Sequence, residues 1–93
     1  MIEKLNLTGK TIVITGGGTG LGKEMSLSMA EAGADIVIAA RRIEPIEEVA
    51  KQIRANGSKS IAISTDATNT DAVKSLFDYV LSEFGKIDVL FNN

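Results

Sequence analysis

The chain contains no cysteine and no histidine. Lacking both, it has no disulfide framework, no thiolate nucleophile and none of the usual zinc sites. The missing histidine also removes the commonest general base. An excess of either charge is missing too: ten basic and twelve acidic residues leave a formal net charge of −2, with no basic stripe. That balance speaks against nucleic acid and against an anionic membrane surface as partners. No apolar run approaches the roughly 20 residues that span a bilayer. The start, Met1-Ile2-Glu3-Lys4-Leu5, lacks the apolar core of a secretion signal. A cytoplasmic protein is the expectation. Ninety-three residues make at most one small domain, and a 44% hydrophobic fraction is ordinary for a globular chain.

What the chain does have is concentrated in residues 11–22, Thr-Ile-Val-Ile-Thr-Gly-Gly-Gly-Thr-Gly-Leu-Gly. A β-branched run feeds a loop with glycine at 16, 17, 18, 20 and 22, and a helical pattern follows. Strand, glycine loop and helix form the layout that seats a pyrophosphate on a helix N-terminus. Gly16 can take the positive φ of a tight turn. Gly18 and Gly20 lack a Cβ, so backbone N–H groups there can approach phosphate oxygens, and Thr19 adds a hydroxyl. Gly22 lets the helix pack closely on the first strand. Lys23 reads as a solvated helix residue. The general dinucleotide fingerprint has glycines at i, i+2 and i+5. Counted from Gly16, its third glycine falls on Leu21, so that pattern fails. The spacing is GxxxGxG at positions 16, 20 and 22, preceded by Thr15. A Walker phosphate loop is excluded, because no Gly-Lys-Ser/Thr triplet stands at the required offset.

Strand and helix patterns alternate along the rest of the chain. The first strand is placed at Thr11–Thr15. Leu21, Met25, Met29 and Ala32 recur at helical spacing, and Gly33 ends that helix. Residues 36–40 form a second apolar run. Pro45 suits the first turn of a helix, with Glu47 and Glu48 near its positive end. Ile46, Val49, Ala50 and Ile53 form its buried stripe, and Asn56-Gly57 closes it. A third strand holds Ile61, Ala62 and Ile63. Thr68 or Asn69 can cap the next helix, with Asp71 in its first turn. Its apolar face is Val73, Leu76, Phe77, Val80, Leu81 and Phe84, ended by Gly85. A fourth strand runs through Val89, Leu90 and Phe91, and its composition suggests burial on both faces.

This βαβαβαβ order predicts an α/β fold, a doubly wound parallel sheet of Rossmann type with strand order 3-2-1-4. The glycine loop then lies at the switch point between strands 1 and 4. Ligands bind there, beyond the carboxyl ends of the strands.

Three motifs at three strand ends now carry a resemblance that extends over essentially the whole chain. Thr15-Gly16-x-x-x-Gly20-Leu21-Gly22 resembles the cofactor loop of the short-chain dehydrogenase/reductase family. Asp66-Ala67 after strand 3 resembles the family's adenine-contacting pair, more often Asp-Val. Asn92-Asn93 resembles the first half of its Asn-Asn-Ala-Gly motif. The run of glycines, with Ala39-Ala40-Arg41-Arg42 later, is similar to the 2,4-dienoyl-CoA reductase branch. The resemblance implies a dinucleotide cofactor. It implies that Gly16, Gly18, Thr19, Gly20, Leu21 and Gly22 cradle the phosphates. Asp66 and Ala67 would hold the adenine, and Asn93 would lie near the ribose beside the nicotinamide. Asn92 would brace the sheet. The alternative for Asp66 is an Asx-type cap for the following helix.

The end of strand 2 separates the two nicotinamide cofactors. A carboxylate there accepts hydrogen bonds from the ribose hydroxyls and repels a 2′-phosphate. This chain has Ala40 at that position, followed by Arg41 and Arg42. An arginine fork clamps a phosphate in bidentate fashion. NADP(H) is therefore expected over NAD(H), with Arg41 as its main contact. The alternative is a solvated pair of arginines, with Arg42 bonded to Glu44 or Glu47.

Catalysis in the family uses a tyrosine, a lysine four residues later, and an upstream serine. The only tyrosine here is Tyr79, and Glu83 stands where that lysine would be. No catalytic residue and no metal ligand is therefore assigned. The expectation is a single partial dinucleotide-binding domain over residues 1–93, truncated after strand 4. Its parent would be an NADP(H)-dependent oxidoreductase acting on a carbonyl, alcohol or enoyl substrate, and homo-oligomeric like its family. The other reading is a non-catalytic nucleotide-binding or assembly module that keeps the fold without the chemistry.

Overall fold

Alternating side chains on a strand point to opposite faces, so a strand built of aliphatic residues throughout demands cover on both sides. Residues 12–14 and 36–39 are such runs, and the structure gives each face its own helices. The structure, a computed structural model, describes residues 6–93. Residues 1–5, whose lack of a leader-like core was read above, lie outside the described residues. The elements are β1 (Thr11–Thr15), α1 (Gly20–Glu31), β2 (Asp35–Ala40), α2 (Ile43–Ala55), β3 (Ser60–Ser64), α3 (Thr70–Phe84) and β4 (Val89–Asn92). The sheet is wholly parallel with order β3-β2-β1-β4, as the alternating pattern predicts. Ile12, Ile14, Ile36 and Ile38 pack on one face with Ala30 of α1 and with Ile46, Val49, Ala50 and Ile53 of α2. Val13, Val37 and Ala39 pack on the other face with Leu76 and Val80 of α3. Each large aliphatic side chain buried in this way contributes about 1.5–3 kcal/mol.

The helix ends follow their sequence signals. Asn69 caps α3, its side-chain oxygen accepting from the Ala72 N–H at 3.1 Å. Gly33, Gly57 and Gly85 follow the three helices with positive φ. Glu47 pairs with Arg54 at 2.6 Å, not with Arg42.

One side-chain expectation is overturned, on β4, and two apolar patterns are buried only in part. In α1 the Leu21, Met25 and Met29 spacing places Met29 against the core but not Leu21. Leu21 is 68% exposed, and the buried residues are Gly22, Ser26 and Ala30. Small residues let the helix axis approach the sheet, and the Ser26 hydroxyl is satisfied by donating to Gly22 O at 2.8 Å. On α3, Leu81 is 48% exposed. Among the described residues that helix alone covers its side of the sheet, and the line facing β1 and β2 is what it seals. On β4, Val89 and Leu90 are exposed rather than buried. This strand stands at the sheet edge and pairs only with β1 among the described residues.

A reciprocal clasp ties the start of β4 to β1. The buried Thr11 donates its N–H to Asp88 Oδ2 at 2.8 Å, and the Asp88 N–H donates to Thr11 O at 2.8 Å. The Thr11 N–H, helped by Lys86 and Lys10, holds the Asp88 carboxyl below its ordinary pKa of 3.8. A depressed carboxyl pKa stabilises the fold fully above the ordinary value and loses that contribution as pH falls through the folded value. Asp88→Asn is therefore expected to lower the thermal midpoint at neutral pH. The gap to wild type should close in strong acid. Parallel melting curves at every pH would contradict this assignment.

Candidate functional site

Four parallel strands deliver their carboxyl ends to one rim, and the loops leaving them build a crevice there. One hollow of about 360 Å³ is lined by Thr15 and Gly16 after β1, Ala39 to Arg41 after β2, residues 65–68 after β3, and Asn92 and Asn93 after β4. Val73, Leu76 and Phe77 of α3, with Leu90, form its apolar wall. A second hollow of about 350 Å³ lies beside it, lined by Gly16, Gly18, Thr19, Ala40, Arg41, Arg42, Pro45 and Ile46. The two share Gly16, Ala40 and Arg41, so they adjoin at the carboxyl ends of β1 and β2.

The glycine loop is shaped by what a Cβ would strike. Gly16 turns with φ 71°. A Cβ on Gly17 would lie 2.6 Å from Ile38 Cγ2, so this buried glycine is required by packing. The bare side of Gly18 faces Pro45 and Ile46, which brings α2 against the loop. Gly20 has φ 58° and nothing within 4 Å of a built Cβ. A Cβ on Gly22 would lie 2.5 Å from Gly16 O and 2.6 Å from Asn93 Nδ2. Thr19 precedes α1 without a side-chain cap, and the first turn carries no acidic residue. The N-terminal N–H groups of α1 thus have no side-chain acceptor from Thr19 and sit at the positive end of the helix dipole.

The β1–β4 seam is held by side chains. Thr15 Oγ1 donates to Asn92 Oδ1 at 2.8 Å and accepts from the Asn93 N–H at 3.2 Å. Asn93 Nδ2 donates to Gly16 O at 3.1 Å. Asn92 braces the sheet, and Asn93 braces the loop as well. Asp66 Oδ1 accepts from the Thr68 hydroxyl at 2.7 Å and from the Thr68 N–H at 3.0 Å. These bonds, the hydroxyl first, together with the charge of Arg41, hold the Asp66 carboxyl below its usual range. Asp66 thus forms an Asx-type turn with Thr68 at the rim of the crevice but does not cap the next helix, whose cap is Asn69. Neither Arg41 nor Arg42 has an ion-pair partner within 4.0 Å among the described residues.

Of the residues singled out from sequence, Gly16, Arg41, Asp66, Ala67 and Asn93 meet in the first hollow. Gly18, Thr19 and Arg42 join Gly16 and Arg41 in the second. Gly20, Leu21 and Gly22 line neither; Gly22 lies beneath the loop and Leu21 projects outward. Sequence reading missed the structural part of Gly17 and the apolar wall. Val73, Leu76 and Phe77 were legible as a core face, and nothing in their spacing separates sealing a sheet from walling a crevice.

A family model described as short chain dehydrogenase matches residues 10–93. An uncharacterized oxidoreductase of Listeria monocytogenes is 38% identical over 89 residues, covering 96% of this chain and 36% of its own length. The chain thus spans about a third of the length of the curated relatives it matches. A metagenomic short-chain oxidoreductase in complex with NADP superposes with a TM-score of 0.85 at 30% identity, over 89% of this chain and 38% of that one. An NAD-bound xylitol dehydrogenase superposes with a TM-score of 0.90 at 34% identity, over 94% of this chain and 34% of that one. Both carry a nicotinamide dinucleotide, one of each kind. With its parallel 3-2-1-4 sheet and its glycine-lined crevice, the chain belongs to the short-chain dehydrogenase/reductase family of oxidoreductases.

Proposed function

We propose that this chain is the NADP(H)-binding part of a short-chain oxidoreductase whose substrate is a carbonyl, alcohol or enoyl compound. The crevice suits an extended dinucleotide. It crosses the switch point, its loop is free of side-chain bulk, and the exposed start of α1 offers N–H donors to a pyrophosphate. Gly16, Gly18, Thr19 and Gly20 would hold the phosphates, with Leu21 and Gly22 setting the pitch of the helix beneath them. Asp66 keeps Oδ2 free to accept from an adenine amino group while Thr68 occupies Oδ1. Ala67 lies beside it on the same wall. Asn93 would face the ribose next to the nicotinamide. The bound nicotinamide would supply or accept the hydride.

Arg41 carries the choice of cofactor. It lines both hollows, follows Ala40 rather than a carboxylate, and has no ion-pair partner among the described residues. Titration of the full chain with NADPH and with NADH, followed by nucleotide fluorescence, is expected to give tighter binding of NADPH. Equal affinities would sink the NADP(H) assignment. Turnover is not expected from the 93 residues alone. Tyr79 is 42% exposed on α3, outside both hollows, and Glu83 follows it where the family's lysine would stand. An NADPH-oxidation assay with carbonyl substrates should therefore stay at the uncatalysed rate.

A further inference from the structure

We infer that Ser64 is a positioning residue for cofactor choice: its hydroxyl fixes the backbone from which Arg41 projects into the crevice. The inference rests on the NADP(H) reading above. Parallel pairing between β2 and β3 ends at Ala40 and Ser64, and the Thr65 N–H donates the last backbone bond to Ala40 O at 2.7 Å. Arg41 lies one residue beyond that ladder. Its carbonyl would be left to solvent, but Ser64 Oγ donates to Arg41 O at 2.8 Å. A side chain thus extends the strand pairing by one residue. On the other flank Arg42 begins α2 with no side-chain cap bond of its own. Ser64 is then the only side-chain hydrogen bond to the 41–42 backbone among the described residues.

Ser64 lines neither hollow of the crevice. Thr65 and Asp66, which follow it in the chain, line the first hollow and would act on both cofactors alike, so an effect selective for NADPH must pass through Arg41. A flexible arginine reaches a phosphate from many backbone positions, but each freed torsion lowers the fraction of time the fork is aligned. Loss of one neutral hydrogen bond then predicts a drop of about three- to tenfold in NADPH affinity. NADH makes no call on the Arg41 fork and should bind unchanged.

The test is a double-mutant cycle on the full chain, with NADPH and NADH dissociation constants measured for wild type, Ser64→Ala, Arg41→Ala and the double variant. Ser64→Thr and thermal midpoints serve as controls. The expected result is a selective loss of NADPH affinity in Ser64→Ala, recovery in Ser64→Thr, and no further loss when Ser64→Ala is added to Arg41→Ala. Equal loss of both cofactors in Ser64→Ala would mark a structural role and overturn the inference. Selective loss in Arg41→Ala with none in Ser64→Ala overturns it while sparing the NADP(H) reading. An Arg41→Ala chain with its NADPH preference intact overturns both.

Discussion

Gly22→Ala is expected to destabilise the fold severely and to loosen the nucleotide crevice with it. A Cβ at this position would sit 2.5 Å from Gly16 O, 2.6 Å from Asn93 Nδ2 and 3.0 Å from Gly17 Cα. Two of those atoms are backbone and cannot swing aside. The third is the amide whose bond to Gly16 O, at 3.1 Å, ties β4 to the loop. Room can come only from moving the first turn of α1 off the sheet or from breaking that tie. Overpacking of this kind costs about 1–3 kcal/mol, and the lost hydrogen bond adds about 1 kcal/mol. Small domains are stable by only about 5–15 kcal/mol, so the change removes a large share. A fall in thermal midpoint on the order of 10 °C is expected. Gly20→Asn makes the comparison. A Cβ there meets nothing within 4 Å, and asparagine tolerates the φ of 58° found at this position. It should lose far less. Equal midpoints for Gly22→Ala and wild type would show that α1 shifts freely, and the close helix–loop packing would lose its meaning.

That close packing also explains where sequence reading stopped. The β1 run at Thr11–Thr15, the stripe of Ile46, Val49, Ala50 and Ile53, and the Asn69 cap could all be read, because large apolar residues and cap chemistry leave periodic or positional marks. The inner face of α1 left the opposite mark. Gly22, Ser26 and Ala30 are buried because they are small, while the conspicuous Leu21 is 68% exposed. A search for hydrophobic periodicity follows bulk, whereas a helix laid tight on a phosphate loop selects for its absence. Gly17 is the same case. Its neighbours Ile14, Ser26 and Ile38 come from three different elements, so no local pattern could announce the contact. The exposed Leu81, Val89 and Leu90 mark another limit, since composition records how apolar a strand or helix is and not what lies over it.

The crevice itself was legible to the extent that it is made of strand ends. Topology alone brings residues 15–16, 39–41, 65–68 and 92–93 to one rim, because parallel strands end together. Tertiary structure added the bonds that stiffen the rim. Thr15 joins Asn92 and Asn93, Asn93 holds Gly16, and Thr68 fixes Asp66. The Thr68–Asp66 pair is local, but the contacts between β1 and β4 span most of the chain, and no spacing rule reaches across it. Those long-range bonds use two of the motifs noted in the sequence, so the same residues both shape the crevice and close the sheet.

Arg41→Ala should weaken NADPH by tenfold to a hundredfold while leaving NADH nearly unchanged. A charge-assisted bond between guanidinium and phosphate contributes about 1.5–3 kcal/mol, which is that range in affinity. One feature places Arg41 above Arg42: Arg41 lines both hollows, and Arg42 lines only the one beside α2. Arg42→Ala should therefore lose less than half as much binding energy. Both arginines are solvent-exposed, so screening will shrink the Arg41 effect as salt is raised. The difference between NADPH and NADH should narrow between low and high ionic strength in wild type and stay small throughout in Arg41→Ala. Ala40→Asp probes the same point from the other side. A carboxylate there would repel the 2′-phosphate and accept from the ribose hydroxyls, and the preference should turn toward NADH. If Arg41→Ala loses both cofactors alike, or if Ala40→Asp leaves the ratio where it was, the 2′-phosphate is not read at the end of β2.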